Sequence, residues 1–454
     1  MKYTTIIFAV VLLLTAVACG AAEAPPNAAD VYRRAFEATP KLTDAEQKAL
    51  RGQPAEVNAA ALSRKLAPAL DLYRQAAHME NCDWGFNFEK DGPGTLLPHI
   101  SPLMNLSRAA AWEAERVKTS DPAAFVAWHE DALRSSAHAG AGALLISGLV
   151  EASMRARSLA VLATNLAALP PDLLAQLGGQ LAALPPPQDF QKIMQGEKTG
   201  CIDWFIRRLF EKIRQRQDAA AATNFAARLR MSAMVAGGPV GLKIGLEEDG
   251  GESFWLGLGQ RRHGIELVSA DLKRGEAVLF KNGQAALVLL QEKRIEPIDL
   301  KLLDEELSAV LGKDEAGKML KKAGSNSMQL VRQLMETSDL MGAIATASAA
   351  PVKDPEAWGK AIEEEQKKSG NAFTALLMPA VGTARARMDA AHAQELMLRV
   401  AVDVLREGPA AAARSRDPWG EGAPFLCRQT DGGLELVSQL QSKGASVTLR
   451  IPRR

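Results

Sequence analysis

Aromatic side chains are scarce in this 454-residue chain, at 5% of the sequence. Roughly one residue in six is alanine, so the interior must close around small side chains, which favours tightly packed helices. An excess of either charge is also missing: 54 Lys and Arg face 53 Asp and Glu, spread along the chain. With no basic field to grip phosphates and no acidic tail, nucleic acid is excluded as an expected partner. The length fits two to four domains around sizeable cores.

Chemistry-bearing motifs are lacking too. The six histidines are His78, His99, His129, His138, His263 and His392, and none pairs with another at zinc-helix spacing. His78 and Cys82, four apart, would need further ligands, with His99 the nearest candidate. Gly257-Leu258-Gly259-Gln260 lacks the third glycine of a dinucleotide fingerprint, and Gly196-Glu197-Lys198-Thr199 lacks the first glycine of a phosphate loop. No Gly-x-Ser-x-Gly elbow occurs. Asp131, Arg134 and His138 share a helix face, where pairing one turn apart accounts for them. The sequence therefore assigns no catalytic, cofactor-binding or metal-ligating residue and points away from an enzyme.

One long apolar run is present, Ile6 to Val17, preceded by Lys2 and too short to span a membrane comfortably as a mature helix. It reads as an export signal over residues 1–18. Two kinds of cut compete, a small-x-small site (Ala16-Val17-Ala18 or Ala22-Glu23-Ala24) and a lipoprotein cut before Cys19. Ala16-Val17-Ala18-Cys19-Gly20 resembles a bacterial lipobox, with Ala16 where that family usually has Leu. The resemblance implies a lipid on Cys19 and a membrane-anchored, periplasm-facing envelope protein; the other cut implies a soluble periplasmic one. Residues 19–30, with Pro25 and Pro26, have the composition of a flexible tether. Export makes disulfides the expected fate of cysteine. Cys82 and Cys201 share a local context, each followed by Asp and Trp, and are the expected pair, leaving Cys427.

Residues 31–236 carry a helical pattern, as in Leu62, Leu66, Leu70 and Tyr73, with Pro68 a possible point of division. Ser101-Pro102 and Asp121-Pro122 read as helix starts, and Pro170-Pro171 and Pro185 to Pro187 as stops. Glycines crowd the chain from Gly237, and residues 237–299 read as a small antiparallel sheet whose best hairpin signal is Lys281-Asn282-Gly283-Gln284. Helices resume over 300–408, and 409–454 read as a β tail. The expected fold is mostly α, a helical bundle or array of helix hairpins with a small antiparallel β insertion and a short C-terminal β tail.

The C-terminal stretch Asp417-Pro418-Trp419-Gly420-x-Gly422-x-Pro424-Phe425, followed by Asp431-Gly432-Gly433-Leu434-Glu435-Leu436-Val437-Ser438, is similar to the end of type II secretion pseudopilins. Upstream, Phe373 to Val381 with Ala384-Arg385-Ala386-Arg387 looks like the long helix of that family. The whole combination resembles uncharacterised envelope proteins of planctomycete-type and related bacteria. It departs from a pseudopilin in having this helix internal, no Gly-Phe junction at Gly370-Asn371-Ala372-Phe373, and Leu377 in place of the family's Glu. The resemblance implies an α+β module beside a secretion or pilus-type apparatus, without pilin processing.

The functional expectation is a tethered structural or interaction scaffold of the cell envelope, binding an envelope or secretion-apparatus protein. The alternative is a periplasmic small-ligand binder or enzyme with a cleft near Trp84 and His99, where Trp84, Phe86 and Phe88 form the densest aromatic cluster. Trp84, His99, Asp417 and Trp419 are the candidate ligand or interaction residues.

Overall fold

The computed structural model describes residues 25–92, 95–142, 144–215, 225–236, 242–248, 251, 253–272, 275–282, 284–290, 294–298, 305, 308, 312–322, 327–371, 373–374 and 381–453. The export signal, Cys19 and the first part of the tether lie outside the described residues, as do Gly237, Gly238, Gly283, Ala372 and the apolar run 375–380. The described chain is mostly helical with three antiparallel sheets. Among the described residues no helix is long and apolar enough to cross a membrane.

Helix α1 spans Ala28–Ala38, capped by Asn27. Helix α2, Asp44–Leu50, opens with a capping box in which Thr43 and Glu46 satisfy each other's backbone N–H. In α3, Ala59–Ala77, Leu62, Leu66, Leu70 and Tyr73 are all buried, as their spacing predicts, and the helix runs through Pro68 without dividing. Helix α4 covers Ile100–Val117. It starts just before the expected Ser101-Pro102, with buried His99 rather than Ser101 at the cap position and no side-chain capping bond. Helix α5, Pro122–Gly140, begins as read, with Asp121 accepting from the Ala124 N–H. Helices α6 (Leu145–Asn165), α7 (Pro171–Ala182) and α8 (Phe190–Glu197) follow, and a π turn at Lys198–Ile202 leads into α9 (Asp203–Gln215).

The β region begins earlier than the glycine-rich stretch suggests. Strand β1 is Leu229–Val235, within the stretch read as helical; buried Leu229 and Met231 alternate with exposed Arg230, a period of two. It pairs with β2 (Lys243–Glu248), which pairs with β3 (Ser253–Gly257). A second sheet runs in sequence order through β4 (Arg261–Arg262), β5 (Ile265–Asp271), β6 (Glu276–Lys281), β7 (Gln284–Leu289) and β8 (Arg294–Ile298). Lys281 pairs with Gln284 across the expected Asn-Gly hairpin, and Asn282 takes φ +51°, the left-handed geometry that such a turn demands. The insertion is thus two sheets sharing one core, built from Met231, Ile244, Leu246, Phe254, Leu267 and Leu279 among others.

Helices return as α10 (Lys313–Lys322), α11 (Ser327–Ala347), α12 (Pro355–Ser369) and α13 (Val381–Glu407). Helices α12 and α13 meet at bare backbone: a Cβ built on Gly359 would sit 2.4 Å from the Gly382 Cα. The chain ends in a sheet of β9 (Leu426–Thr430), β10 (Gly433–Ser442) and β11 (Ala445–Pro452), with β10 central. Strand β9 is mostly exposed, so no apolar alternation announces it in the sequence. The other two bury Leu434, Leu436, Leu440, Val447, Leu449 and Ile451 in one cluster with Leu159 and Leu162 of α6 and Met397, Leu398 and Val402 of α13. Each fully buried aliphatic side chain there contributes about 1.5 to 3 kcal/mol, so the C-terminal sheet is part of the body's packing.

Candidate functional site

The first neighbourhood singled out by the sequence is a packed aromatic stack. Trp84 is 6% exposed, its ring 4.2 Å from that of His99 and nearly parallel to that of Phe36 at 6.2 Å. Its indole N–H donates to the His138 carbonyl, 2.9 Å, and Arg33 donates to the Trp84 carbonyl, 3.0 Å. Both ring nitrogens of His99 are buried without a hydrogen-bond partner, and burial pushes its pKa down to about 4. His99 is therefore a neutral packing element at physiological pH.

Beside it runs a polar network that the one-helix reading of Asp131, Arg134 and His138 missed. Asp131, buried, accepts from Arg74 at 2.8 Å and bonds His78 at 2.7 Å, both contributed by the α3 end. Burial raises the Asp131 pKa and Arg74 opposes the rise. His138 bonds the Tyr32 hydroxyl at 3.0 Å, and Arg134 turns instead to Glu130. Asp131 and His138 pair with other helices, which no spacing on α5 alone can reveal, whereas Arg134 pairs one turn back on α5 itself. Among the described residues no group of three or more His, Cys, Asp or Glu converges as a metal site.

A stretch a few residues beyond Cys82 meets the segment that holds Cys201. The turn Phe88–Asp91 packs on the π turn: a Cβ on Gly200 would touch the Phe88 Cβ at 3.0 Å, and the Trp204 indole donates to the Lys90 carbonyl at 2.9 Å. Cys82 and Cys201 are half-buried free thiols, and the Cys201 thiol donates to Glu197 at 3.3 Å. Burial pushes both thiols up to about 12, with Asp83 adding to the shift at Cys82 and Glu197 at Cys201. Cys427 is also free, its thiol raised by burial.

A buried ion cluster joins distant parts of the chain. Arg155 of α6 donates to Glu151 at 2.9 Å, to Glu395 of α13 at 2.6 Å and to the Pro185 carbonyl at 2.7 Å. Arg399 gives Glu395 a second partner at 2.6 Å. Burial raises the Glu151 pKa, with Arg155 opposing.

The second predicted neighbourhood, Asp417 and Trp419, behaves differently from the first. The Asp417 carboxylate is fully buried and accepts from the Ser438 hydroxyl (3.0 Å) and the backbone N–H groups of Gln439 (2.6 Å) and Trp419 (3.1 Å). It welds the turn to β10, joining the two halves of the motif quoted above. The turn so held places Trp419 at the wall of a cavity of about 300 Å³. The other walls come from the segment before α8 (Pro187 to Phe190), the end of α11 and its loop (Ser348 to Pro351), and Arg385, Met388, Asp389 and His392 of α13. Arg385 lies 3% exposed, packed against the rings of Phe190 and Trp358 at 5.5 and 5.2 Å. It donates to Asp389 at 3.2 Å and to the Ala350 carbonyl at 2.6 Å, while its Nη1 has no partner. Burial raises the Asp389 pKa, opposed first by Arg385. The Trp419 indole N–H is turned toward Asp389 and, as a donor, favours its charged form. Burial lowers the His392 pKa, keeping the imidazole neutral at pH 7.

A scan against known protein families, a search of curated proteins and a search of solved structures each return no match.

Proposed function

We propose that this chain is an exported bacterial envelope protein, tethered through a lipid on Cys19, that serves as an interaction scaffold at the periplasmic face of a membrane. The observation that carries the reading is the order of the N-terminal sequence: a basic residue, the apolar run Ile6 to Val17, Ala18-Cys19-Gly20, then a short Pro- and Ala-rich stretch. The folded body starts soon after, with Asn27 tied to Asp83 by hydrogen bonds of 2.7 and 2.8 Å. On this reading the helices form a bundle or array of hairpins, and the C-terminal sheet is a pseudopilin-like module beside a secretion or pilus-type apparatus. Cys82 and Cys201, free thiols in this structure, form a disulfide in the oxidising compartment on this reading. The alternative of a ligand cleft at Trp84 and His99 draws less support, because those rings cover each other's faces.

Intact mass of the protein from its host's membrane fraction, with and without reductant before thiol alkylation, tests the proposal. A di- or triacyl mass at Cys19, with two cysteines protected until reduction, supports it. An unmodified mass from a soluble fraction, starting after Ala18, Ala22 or Ala24, overturns the tether. Crosslinking that captures no envelope protein, together with turnover of a substrate, overturns the scaffold.

A further inference from the structure

Charge is balanced over the whole chain, yet three arginines gather in one place with no acid to answer them. A pocket of about 250 Å³ lies between the link from α1 to α2, the end of α2 and one face of α4. Arg51, at the C-terminal cap of α2, and Arg108 of α4 line it, and Arg157 of α6 stands close enough to act on Arg108. Burial holds the Arg108 pKa below the usual guanidinium value, and Arg157 and then Arg51 lower it further. Arg108 donates to the side-chain oxygen of Asn105 at 2.8 Å, and among the described residues none of the three arginines forms an ion pair. Elsewhere arginines are answered, as Arg74 is by Asp131 and Arg134 by Glu130. No acid is among the described lining residues, and Glu46 of α2 is already taken by Lys65 at 2.8 Å and the Thr43 N–H at 2.7 Å.

Like charges held together disfavour the folded state. The dipole of α2 favours a cation at Arg51, but that reason does not extend to Arg108 or Arg157. An anion in the pocket would answer all three, and both lining guanidinium groups can be reached: Arg51 is exposed and Arg108 half-buried. Charge selects the anion. A carboxylate offsets one of three positive charges, whereas a phosphate monoester carries about −1.5 to −2 at neutral pH and offsets most of the excess. Its oxygens also suit the planar fork of a guanidinium, which binds phosphate through two parallel hydrogen bonds. The Asn105 oxygen is occupied by Arg108, which leaves its amide N–H groups to donate, and Pro40, Leu42 and Leu50 supply an apolar wall. We propose that this pocket binds a phosphate monoester on a small apolar body, its oxygens held by Arg51 and Arg108 while Arg157 adds attraction from outside the lining.

Phenyl phosphate and benzoate share an apolar ring and differ in anionic charge, so they separate the proposal from general attraction of anions. The full chain is titrated with each by calorimetry at constant ionic strength and a pH of about 7.5, where the monoester is mostly dianionic. Phenyl phosphate is expected to bind one site in the millimolar range usual for a fragment or tighter, and benzoate at least tenfold more weakly. Arg51→Gln and Arg108→Gln should each weaken phenyl phosphate tenfold or more, the effect of losing a hydrogen bond from a charged donor. Arg51 is exposed, so its variant stays folded even where Arg108→Gln loses stability. Arg450→Gln on the exposed side of the C-terminal sheet should leave binding unchanged. Flotation with phosphatidylcholine vesicles, with and without a fifth of phosphatidate, separates the two sources of such a phosphate. Phosphatidate-dependent binding that Arg51→Gln weakens and phenyl phosphate displaces assigns the pocket to a lipid headgroup, and binding of phenyl phosphate alone assigns it to a soluble monoester. Benzoate binding as tight as phenyl phosphate, phenyl phosphate binding that survives Arg51→Gln undiminished, or no binding of either the ester or the phosphatidate vesicles overturns the proposal.

Discussion

Replacing Arg155 by Met removes a guanidinium of similar length from the middle of the buried ion cluster, and the structure says which carboxylate suffers. Glu395 keeps Arg399 at 2.6 Å. Glu151, 2% exposed, keeps the Gln188 N–H at 3.3 Å, a weak bond to a neutral donor. Breaking a buried pair costs about 3 to 5 kcal/mol because the surviving charge is left uncompensated, and that charge is chiefly Glu151. The loss depends on pH in a direction that can be worked out. The Glu151 pKa is raised in the folded state, so its ionisation disfavours folding, and the penalty develops as pH rises past the unfolded carboxyl value. Without Arg155 the folded pKa rises further. Arg155→Met should therefore lose most stability near pH 8 and clearly less near pH 5, where Glu151 takes up a proton. Arg155→Met with Glu151→Gln should recover most of the loss, and Arg155→Met with Glu395→Gln much less. Urea denaturation followed by tryptophan fluorescence at the two pH values measures each difference. A loss below about 1 kcal/mol at pH 8, an equal loss at both pH values, or better rescue by Glu395→Gln would refute the assignment.

Three further outcomes follow from buried groups elsewhere. Asp417→Ala strands the Gln439 and Trp419 N–H groups and should cost about 2 to 4 kcal/mol, read as a lower urea midpoint, with Asp417→Asn milder. Gly382→Ala at the α12 and α13 crossing forces backbone apart, since the new Cβ lies 2.6 Å from the Pro355 carbonyl oxygen; about 1 to 3 kcal/mol should be lost, seen as a drop in Tm. Burial holds His99, His129 and His138 near pKa 4, below the unfolded value, so stability is full above about pH 6.5 and falls as pH drops toward 4, by roughly 3 kcal/mol per histidine at most. His129 has no hydrogen-bond partner, and His129→Leu should flatten that slope in a urea-midpoint titration between pH 7.5 and 4.5 without loss at neutral pH.

Local patterns carried much of the fold. The α3 stripe, the Asp121-Pro122 start, the Pro355 start of α12 and the Asn-Gly hairpin all lie in short stretches where spacing or capping chemistry decides the backbone. Strand β1 was hidden by its position at the end of a long helical pattern, and β9 by its exposure. For the site, proximity in sequence brought Trp84 together with His99, but what they do is set by Phe36 and His138, which arrive from other helices. Arg385, Asp389 and His392 are four and three residues apart on α13, a face that could be drawn from the sequence. That Trp419 meets this face depends on a turn fixed by Ser438, a tertiary fact. Arg155 and Glu395 lie 240 positions apart, beyond any pattern.

That separation bears on how the chain is made. Helix α6 lies before the middle of the sequence, yet its buried guanidinium has no second carboxylate until α13 is delivered, and the cluster around Leu159 and Leu162, begun by Phe125, Leu133 and Leu173, is completed only by α13 and the last strands. A nascent chain halted at residue 380 would hold a half-neutralised charge and an incomplete apolar cluster, so the central helices should be less stable during synthesis than in the finished chain. A chain that postpones its own closure in this way completes its central packing only once the final strands have been made.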